Sequence, residues 1–516
     1  MPQSDPDSIA REALRLIGPD PENWVPDRDG IDHNVVVVGG AQSGSAFAFA
    51  LRRAGVGRVS VIDAATDSAG AGVWLTSARM HKLRTPKNLP GPELGLSGLS
   101  FQAWYEARHG VAAYQALDRI PRLDWAAYLT WYRDALGISV RYRTRLVRIE
   151  PAADHLRLHL EQGGTTRVET TRKLVLATGF SGNGGPYVPD VLLRHLPKSL
   201  YAHTSEAINF EALRGKSVAV LGSAASAFDA AAVALETGAR EVHLFARRGD
   251  LASLPVIRLR GYPGAYDNYG SLPDAVRWHQ AIRFRRAGST PPPDAIARAV
   301  KFQNFHLHLA SPWDSAKPSG SRLVAGTPQG AFAFDFVIAG TGYSVDLAAQ
   351  PELRDFADEI LLWRDRFTPP QPEQDETLAA YPYLGSGHEY LEKRPGSAPR
   401  LKDIHVFNPA AFVSFGLPVG DIPSFKRDIP AIVARISRDL FLADLASHER
   451  THQRIDRRGF QCRSLFLRGL AIAAERRGGI DAHDRKYIVS SPPSRLRPAN
   501  SGALSGNGSQ LREPPP

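Results

Sequence analysis

The sequence predicts an α/β fold in which two strand–turn–helix–strand units share one plan and the second is inserted into the first. Three observations predict it. Asn34–Val38 is a continuous apolar, β-branched run that passes straight into a glycine-rich turn and a helix, the pattern of a strand buried on both faces of a parallel sheet. The same plan recurs at Ser217–Leu221. Two further strand ends, Ala177-Thr178-Gly179 and Gly340-Thr341-Gly342, lie on either side of the recurrence. Small glycine-bearing turns of this kind let a chain cross between two lobes while passing close to a bound group.

In chain order, the lead over 1–33 carries a short helix, Ser8–Ile17, and a Pro- and Asp-rich stretch. The first unit opens at residue 34 with its strand, the turn Gly39-Gly40-Ala41-Gln42-Ser43-Gly44, a helix to Leu51 and a strand, Arg58–Ile62, that ends on Asp63. That is a β-α-β unit of ordinary length. A helical region over 100–136 and a hairpin-like stretch over 139–169 carry this unit to residue 200. The second unit spans 201–330, with the turn Gly222-Ser223-Ala224-Ala225-Ser226-Ala227, a helix over Phe228–Glu236 and a strand, Glu241–Phe245, that runs into Ala246-Arg247-Arg248. The first unit resumes over 331–450, with the strand Phe334–Ala339 and a strand, loop and helix over 401–447. A helical segment is expected over 451–489 and a disordered tail over the Ser/Pro/Gly/Asn-rich residues 490–516.

Composition narrows the function. A chain of 516 residues is too long for one hydrophobic core, and 43% hydrophobic with 22% charged residues is the profile of a globular protein. The net charge of +10 comes from Lys and Arg scattered along the chain, with one dense group at Arg283, Arg285 and Arg286. A basic stripe of the nucleic-acid-binding kind does not form, and anionic cofactors account for the charge. No apolar run is long enough to span a bilayer, and Met1–Asp7 is acidic, without the pattern of a secretory signal. The expectation is a cytoplasmic protein with neither nucleic-acid nor membrane partners. One cysteine, Cys462, excludes an internal disulfide and a Cys-x-x-Cys redox pair.

The two turns carry the chemistry. A glycine at the end of a strand turns the chain tightly into a helix, whose free amides and positive dipole end then face a pyrophosphate. Gly39 and Gly44 take the outer glycine positions of the first turn, Ala41 the middle one, and Gln42 and Ser43 open the helix. Asp63, 24 residues after Gly39, stands where an acid holds the hydroxyls of an adenosine ribose. This unit is read as an FAD site. The second turn has Gly222 and Ser223, with alanine at 224 and 227 and Ser226 between them. Arg247 and Arg248 follow its second strand, where an acid would repel a 2′-phosphate and guanidinium groups pair with it. NADPH is therefore favoured over NADH. The fold expected is two Rossmann-type dinucleotide-binding domains, the NADPH domain inserted in the FAD domain. Thr178, Gly179 and Gly342 mark crossings that pass close to a cofactor.

With these motifs the chain resembles the class B flavin monooxygenases over about residues 34 to 445. Within that group the N-hydroxylating branch, which includes ornithine and lysine hydroxylases, shows similar local patterns. Met80-His81 follows Val73-Trp74, where that branch has a Met-Gln pair beside the flavin; Pro121-Arg122-Leu123-Asp124-Trp125 with Tyr128 and Trp131 resembles another of its signatures. Asn408-Pro409 to Asp421 resembles its late loop near flavin and substrate, and His203-Thr204-Ser205 the histidine-bearing linker of the wider class. The resemblance implies insertion of one oxygen atom from O2 into a small-molecule substrate through a flavin C4a-(hydro)peroxide, with N-hydroxylation slightly ahead of Baeyer–Villiger and sulfur oxidation. It also implies that Trp74, Met80, His203 and Asp421 border the cofactors and that His81 and Arg84 are the catalytic candidates at the flavin edge. The chain departs from the pattern in having His81 for glutamine and alanine in both turns. Two alternatives stay open: a flavin-dependent NAD(P)H oxidoreductase without oxygen insertion, and a non-catalytic dinucleotide-binding redox sensor. The oligomeric state is not indicated.

His306 and His308 alternate in a strand-like stretch and so share a face, but no third ligand stands at metal spacing, and no metal site is expected. Tyr262, Tyr266 and Tyr269, with Asn268 and Trp278, read equally as a substrate pocket or as aromatic packing between lobes.

Overall fold

The computed structural model describes residues 5–450 except 183, 254–261 and 417. The helical segment expected over 451–489, the tail expected over 490–516 and Cys462 lie outside the described residues. The lead forms the helix Pro6–Leu16, with Asp5 as N-cap and proline in the first turn, where its missing N–H costs nothing.

The β-branched run builds β1 (His33–Val38). Val35 and Val37 pack with Phe47 and Leu51 of the helix Gln42–Arg53, whereas Val36 packs on the other face with Leu174 and Leu176. Apolar contact on both faces is why the strand lacks alternation. β2 (Val59–Ile62) and β3 (Val140–Arg141) extend the sheet in parallel on one side of β1. β4 (Thr144–Pro151), β5 (Leu156–Gln162) and β6 (Thr165–Leu176) form an antiparallel meander, and the second half of β6 becomes the other parallel neighbour of β1. The hairpin-like stretch of the sequence is thus β4 and β5, while β3 pairs elsewhere.

A short crossing strand, β7 (Gly184–Pro186), leads to a second sheet of β8 (Tyr201–His203), β9 (Ser217–Leu221), β10 (Glu241–Phe245) and β11 (Phe305–His308). An antiparallel layer follows, β12 (Ser315–Ser319), β13 (Arg322–Thr327) and β14 (Gly330–Phe334). β15 (Phe336–Ala339) then inserts between β9 and β8, giving the all-parallel order β11-β10-β9-β15-β8. β16 (Tyr343–Val345) pairs antiparallel with β7, and β17 (Ile404–Val406) returns to the first sheet beside β6.

One boundary shifts. The sequence reading ends the second unit at 330, yet β14 and β15 follow that point and β15 is hydrogen-bonded inside the second sheet. Val337, Ile338 and Ala339 are fully buried, and an all-apolar strand carries no mark of which sheet it joins. In both sheets the strand that runs into the glycine turn lies where the strand order reverses, β1 between β2 and β6 and β9 between β10 and β15. Crevices at the carboxyl ends of such switch points are where open α/β sheets bind ligands.

Candidate functional site

Gly39 ends β1 with φ +110°, and a Cβ built there would lie 2.3 Å from the carbonyl oxygen of Ala177 at the end of β6. Glycine alone fits that approach. Gly44 brings the helix close to the same turn, since its Cβ would lie 1.8 Å from the Gly39 oxygen. Ala41 is the helix N-cap and makes no side-chain capping bond, so the amides of Gln42, Ser43 and Gly44 and the positive dipole end are open to an anion. A Cβ on Gly72 would lie 2.9 Å from the Ala41 methyl, which therefore packs against the Gly72 loop. Asp63 accepts from the Gly40 amide at 2.6 Å and from the Ala65 amide at 2.7 Å, which fixes its carboxylate at the mouth of the turn.

The second turn repeats this construction. Gly222 has φ +113°, and its Cβ would lie 2.2 Å from the Gly340 carbonyl oxygen at the end of β15. Ala224 caps the helix Ala225–Glu236 without a side-chain bond, with Ser223 half-buried beside it and Ser226 exposed. Ala227 stands in the last glycine position, and a Cβ on Gly340 would lie 2.7 Å from the Ala227 methyl. The close approach of helix and strand is thus kept by moving the glycine from helix to strand. Arg247 and Arg248 follow β10 on the surface. Arg248 donates to the carbonyls of Ala287 at 2.9 Å and Arg285 at 3.4 Å, at the C-terminus of the helix Asp274–Ala287. Arg247 makes no ion pair among the described residues.

The two crossings run side by side. Gly179 and Gly342 have φ of +64° and +82°, and the Phe180 ring stacks on Tyr343 at 5.4 Å. His203, buried at the end of β8, anchors the second crossing: its Nδ1 accepts from the Ser205 amide at 3.1 Å, so Nε2–H donates to the Gly342 carbonyl at 2.9 Å. Burial lowers its pKa, in keeping with a neutral ring that has one donor and one acceptor. Asn408, fully buried, donates to the Thr178 hydroxyl at 3.0 Å and accepts from the Ala410 amide at 3.0 Å.

Between the turns runs the loop that bears Trp74, Met80, His81 and Arg84. Gln42 accepts through its side-chain oxygen Oε1 from the indoles of Trp74 and Trp125, both at 3.1 Å. Its side chain also bonds Asp421, whose pKa is raised by burial and which caps the helix Ile422–Ala443 through the Ile422 amide at 2.7 Å. Gln42, Trp74 and Asp421 therefore meet at one place. Arg122 pins the loop, donating to the Trp74 carbonyl and, at 3.0 Å, to that of Met80, while its amide reaches the His81 carbonyl at 3.0 Å. The side chain of His81 is exposed. Arg84 is paired with Asp229, an acid buried in the helix after the second turn, which Arg298 also contacts at 3.2 Å. Burial pushes the Asp229 carboxyl up, and the two guanidiniums offset this only in part. Arg84 is thus a bridge to the second unit. Asp229, Arg298 and Arg79, which donates to the Thr204 and Glu206 carbonyls, escaped sequence reasoning. The one visible signal was a lone acid among the apolar residues of Phe228–Leu235.

A cavity of about 270 Å³ is formed by residues 262–284 together with residues 412–427. Tyr262, Tyr266, Tyr269 and Asn268 line it with Phe412, Phe415 and Arg427. Trp278, grouped with these tyrosines in the sequence, instead lies in the core against Trp363 at 6.0 Å. Arg427 is held by Asp428 and donates to the Tyr266 carbonyl at 2.8 Å. Among the described residues that line it there is no Asp or Glu.

Comparison with known proteins bears on this arrangement. A family model described as pyridine nucleotide-disulphide oxidoreductase matches residues 33–256; the chain has a single cysteine, so no dithiol pair accompanies the match. The FAD-dependent urate hydroxylase of Xanthomonas campestris pv. campestris is 40% identical over 428 residues, covering 82% of this chain and 90% of that protein. Among solved structures, the ornithine hydroxylase of Pseudomonas aeruginosa in its reduced form superposes with TM-score 0.62 at 18% identity, covering 80% of this chain and 100% of that one. The L-lysine 6-monooxygenase of Pseudomonas syringae does so with TM-score 0.59 at 18% identity, over 80% and 99%. The structural likenesses speak for the fold.

Proposed function

The chain belongs to the family of flavin-dependent monooxygenases that includes the FAD-dependent urate hydroxylase, and is thus a flavoprotein oxidoreductase; from that premise we propose that it is an FAD- and NADPH-dependent hydroxylase of a planar, electron-rich heterocycle of the urate class. The observation that carries this reading is the pair of uncapped helix N-termini, each behind a glycine that a carbonyl oxygen prevents from bearing a side chain. The residues present fit two dinucleotides. The amides of Gln42, Ser43 and Gly44 would hold the FAD pyrophosphate and Asp63 its ribose; those after Gly222 would hold the NADPH pyrophosphate, with Arg247 at the 2′-phosphate. Bound flavin supplies hydride acceptance and oxygen activation, chemistry no side chain provides. The chain's part is orientation and exclusion of water. Gln42, Trp74, Trp125 and Asp421 make a hydrogen-bonded wall at the first turn, and Arg122 and Arg84 hold the loop in front of it.

The cavity favours ring hydroxylation over N-hydroxylation. An amine substrate calls for a carboxylate near its ammonium, and none of the described residues lining the cavity supplies one, whereas aromatic faces and a fixed guanidinium suit a flat, anionic ring. The test is oxygen and NADPH consumption by the purified yellow protein with urate, ornithine or lysine. Urate should stimulate both and disappear in step with NADPH. Stoichiometric hydrogen peroxide with no product would instead make the protein an oxidase, and a colourless protein that NADPH leaves unchanged would make it a sensor.

A further inference from the structure

The His306–His308 pair acquires its third imidazole from the neighbouring strand. β10 and β11 are parallel and in register, with His243 opposite His306. Their rings lie 4.4 Å apart between centroids. Glu241, two residues before His243 and so on the same face, brings its carboxylate to 3.4 Å from His243 Nε2. The ligand atoms of Glu241, His243 and His306 all lie within 4.8 Å of one another. His308, two residues beyond His306, places its Nε2 2.9 Å from His243 Nδ1.

We propose that Glu241, His243 and His306 form a site for a divalent transition cation of the zinc type, with His308 as the group that orients the His243 ring. Two imidazoles and a carboxylate are a nitrogen-rich, borderline donor set suited to Zn2+ and unsuited to Mg2+ or Ca2+. When Nδ1–H of His243 donates to His308, its Nε2 lone pair points toward the Glu241 carboxylate, so two acceptors face each other and a cation between them satisfies both. A ligating histidine whose other nitrogen is hydrogen-bonded is the usual arrangement around zinc. His243 is largely buried and Glu241 half-buried, whereas His306 is exposed and can rotate to close the site, leaving a fourth position to solvent. β11 is the edge of the second sheet, bonded on one side only, and the ion would cross-link it to β10. This site is independent of the cofactor turns.

The test uses the full chain without a polyhistidine tag, treated with chelator and titrated with Zn2+ by calorimetry and with Co2+ as an optical probe. About one equivalent should bind, with visible absorption bands of a four-coordinate Co2+ ion and a raised unfolding temperature. His306→Ala, at an exposed position, and His243→Ala should abolish this. His308→Ala should keep the stoichiometry and weaken binding about 10–100-fold, the usual cost of losing an orienting partner. Flavin content, equal in all variants, reports an intact fold. Wild-type binding no tighter than that of the His306→Ala variant would overturn the proposal.

Discussion

The two glycine turns are copies in backbone and opposites in charge. At each, a glycine with φ above +100° sits under a carbonyl of the strand across the switch point, at 2.3 Å and 2.2 Å for the Cβ it lacks. At the end of the next strand the first turn has an acid, Asp63, drawn inward by the amides of Gly40 and Ala65, and the second has two arginines on the surface. The difference teaches that cradle and selector are separable. On the proposed reading, backbone shape lets a pyrophosphate fit, and one or two side chains some twenty residues later select the nucleotide.

The largest expected effect breaks the shared part. Gly39→Ala and Gly222→Ala each force a side chain into left-handed backbone, at about 1–3 kcal/mol before any clash with the facing carbonyl. The first should lower flavin content, read as the ratio of visible to ultraviolet absorbance. The second should leave the flavin bound but slow its anaerobic reduction by NADPH. Loss of flavin from both variants alike would show that the turns do not serve separate cofactors.

A smaller effect is expected from Asp63→Ala, which removes a charge-assisted acceptor of roughly 1.5–3 kcal/mol per bond. Flavin should dissociate more readily on dialysis, and full occupancy would place the ribose elsewhere. The smallest and sharpest effect separates the two arginines. Arg248 already donates to two helix-terminal carbonyls, so Arg247→Ala should carry most of the loss of NADPH preference, about ten- to a hundredfold for one phosphate pair. Arg248→Ala should change it less, and reduction by NADH should be indifferent to both. An equal effect of the two substitutions, measured by stopped-flow reduction, would reverse that ranking.

Local patterns in the sequence carried much of this. Each turn, its strands and the crossings at Gly179 and Gly342 are short segments whose geometry follows from glycine and β-branched residues in a row. Asp421 and Trp74 were reached through resemblance and Gln42 through the first turn, and the structure bonds Gln42 to both. What stayed hidden depends on pairing across long separations. The ion pair of Arg84 with Asp229, the hold of Arg79 on Thr204 and the meeting of His243 with His306 join residues that no periodicity relates. β15 was placed on the wrong side of a boundary for the same reason, since its apolar residues suit either sheet.

The return of β17 to β6 has a consequence for how the chain is made. Asn408 bonds Thr178 across 230 positions of sequence, and Ile404–Val406 pair with Leu174–Leu176. On the ribosome, the edge of β6 emerges long before the strand that covers it. At about 5–20 residues per second, that edge waits roughly 10–50 s with its backbone unpaired. An open apolar strand edge is a template for pairing with other chains. The inserted second sheet, whose strands all lie within residues 201–339, has every strand synthesised before the first sheet receives its last.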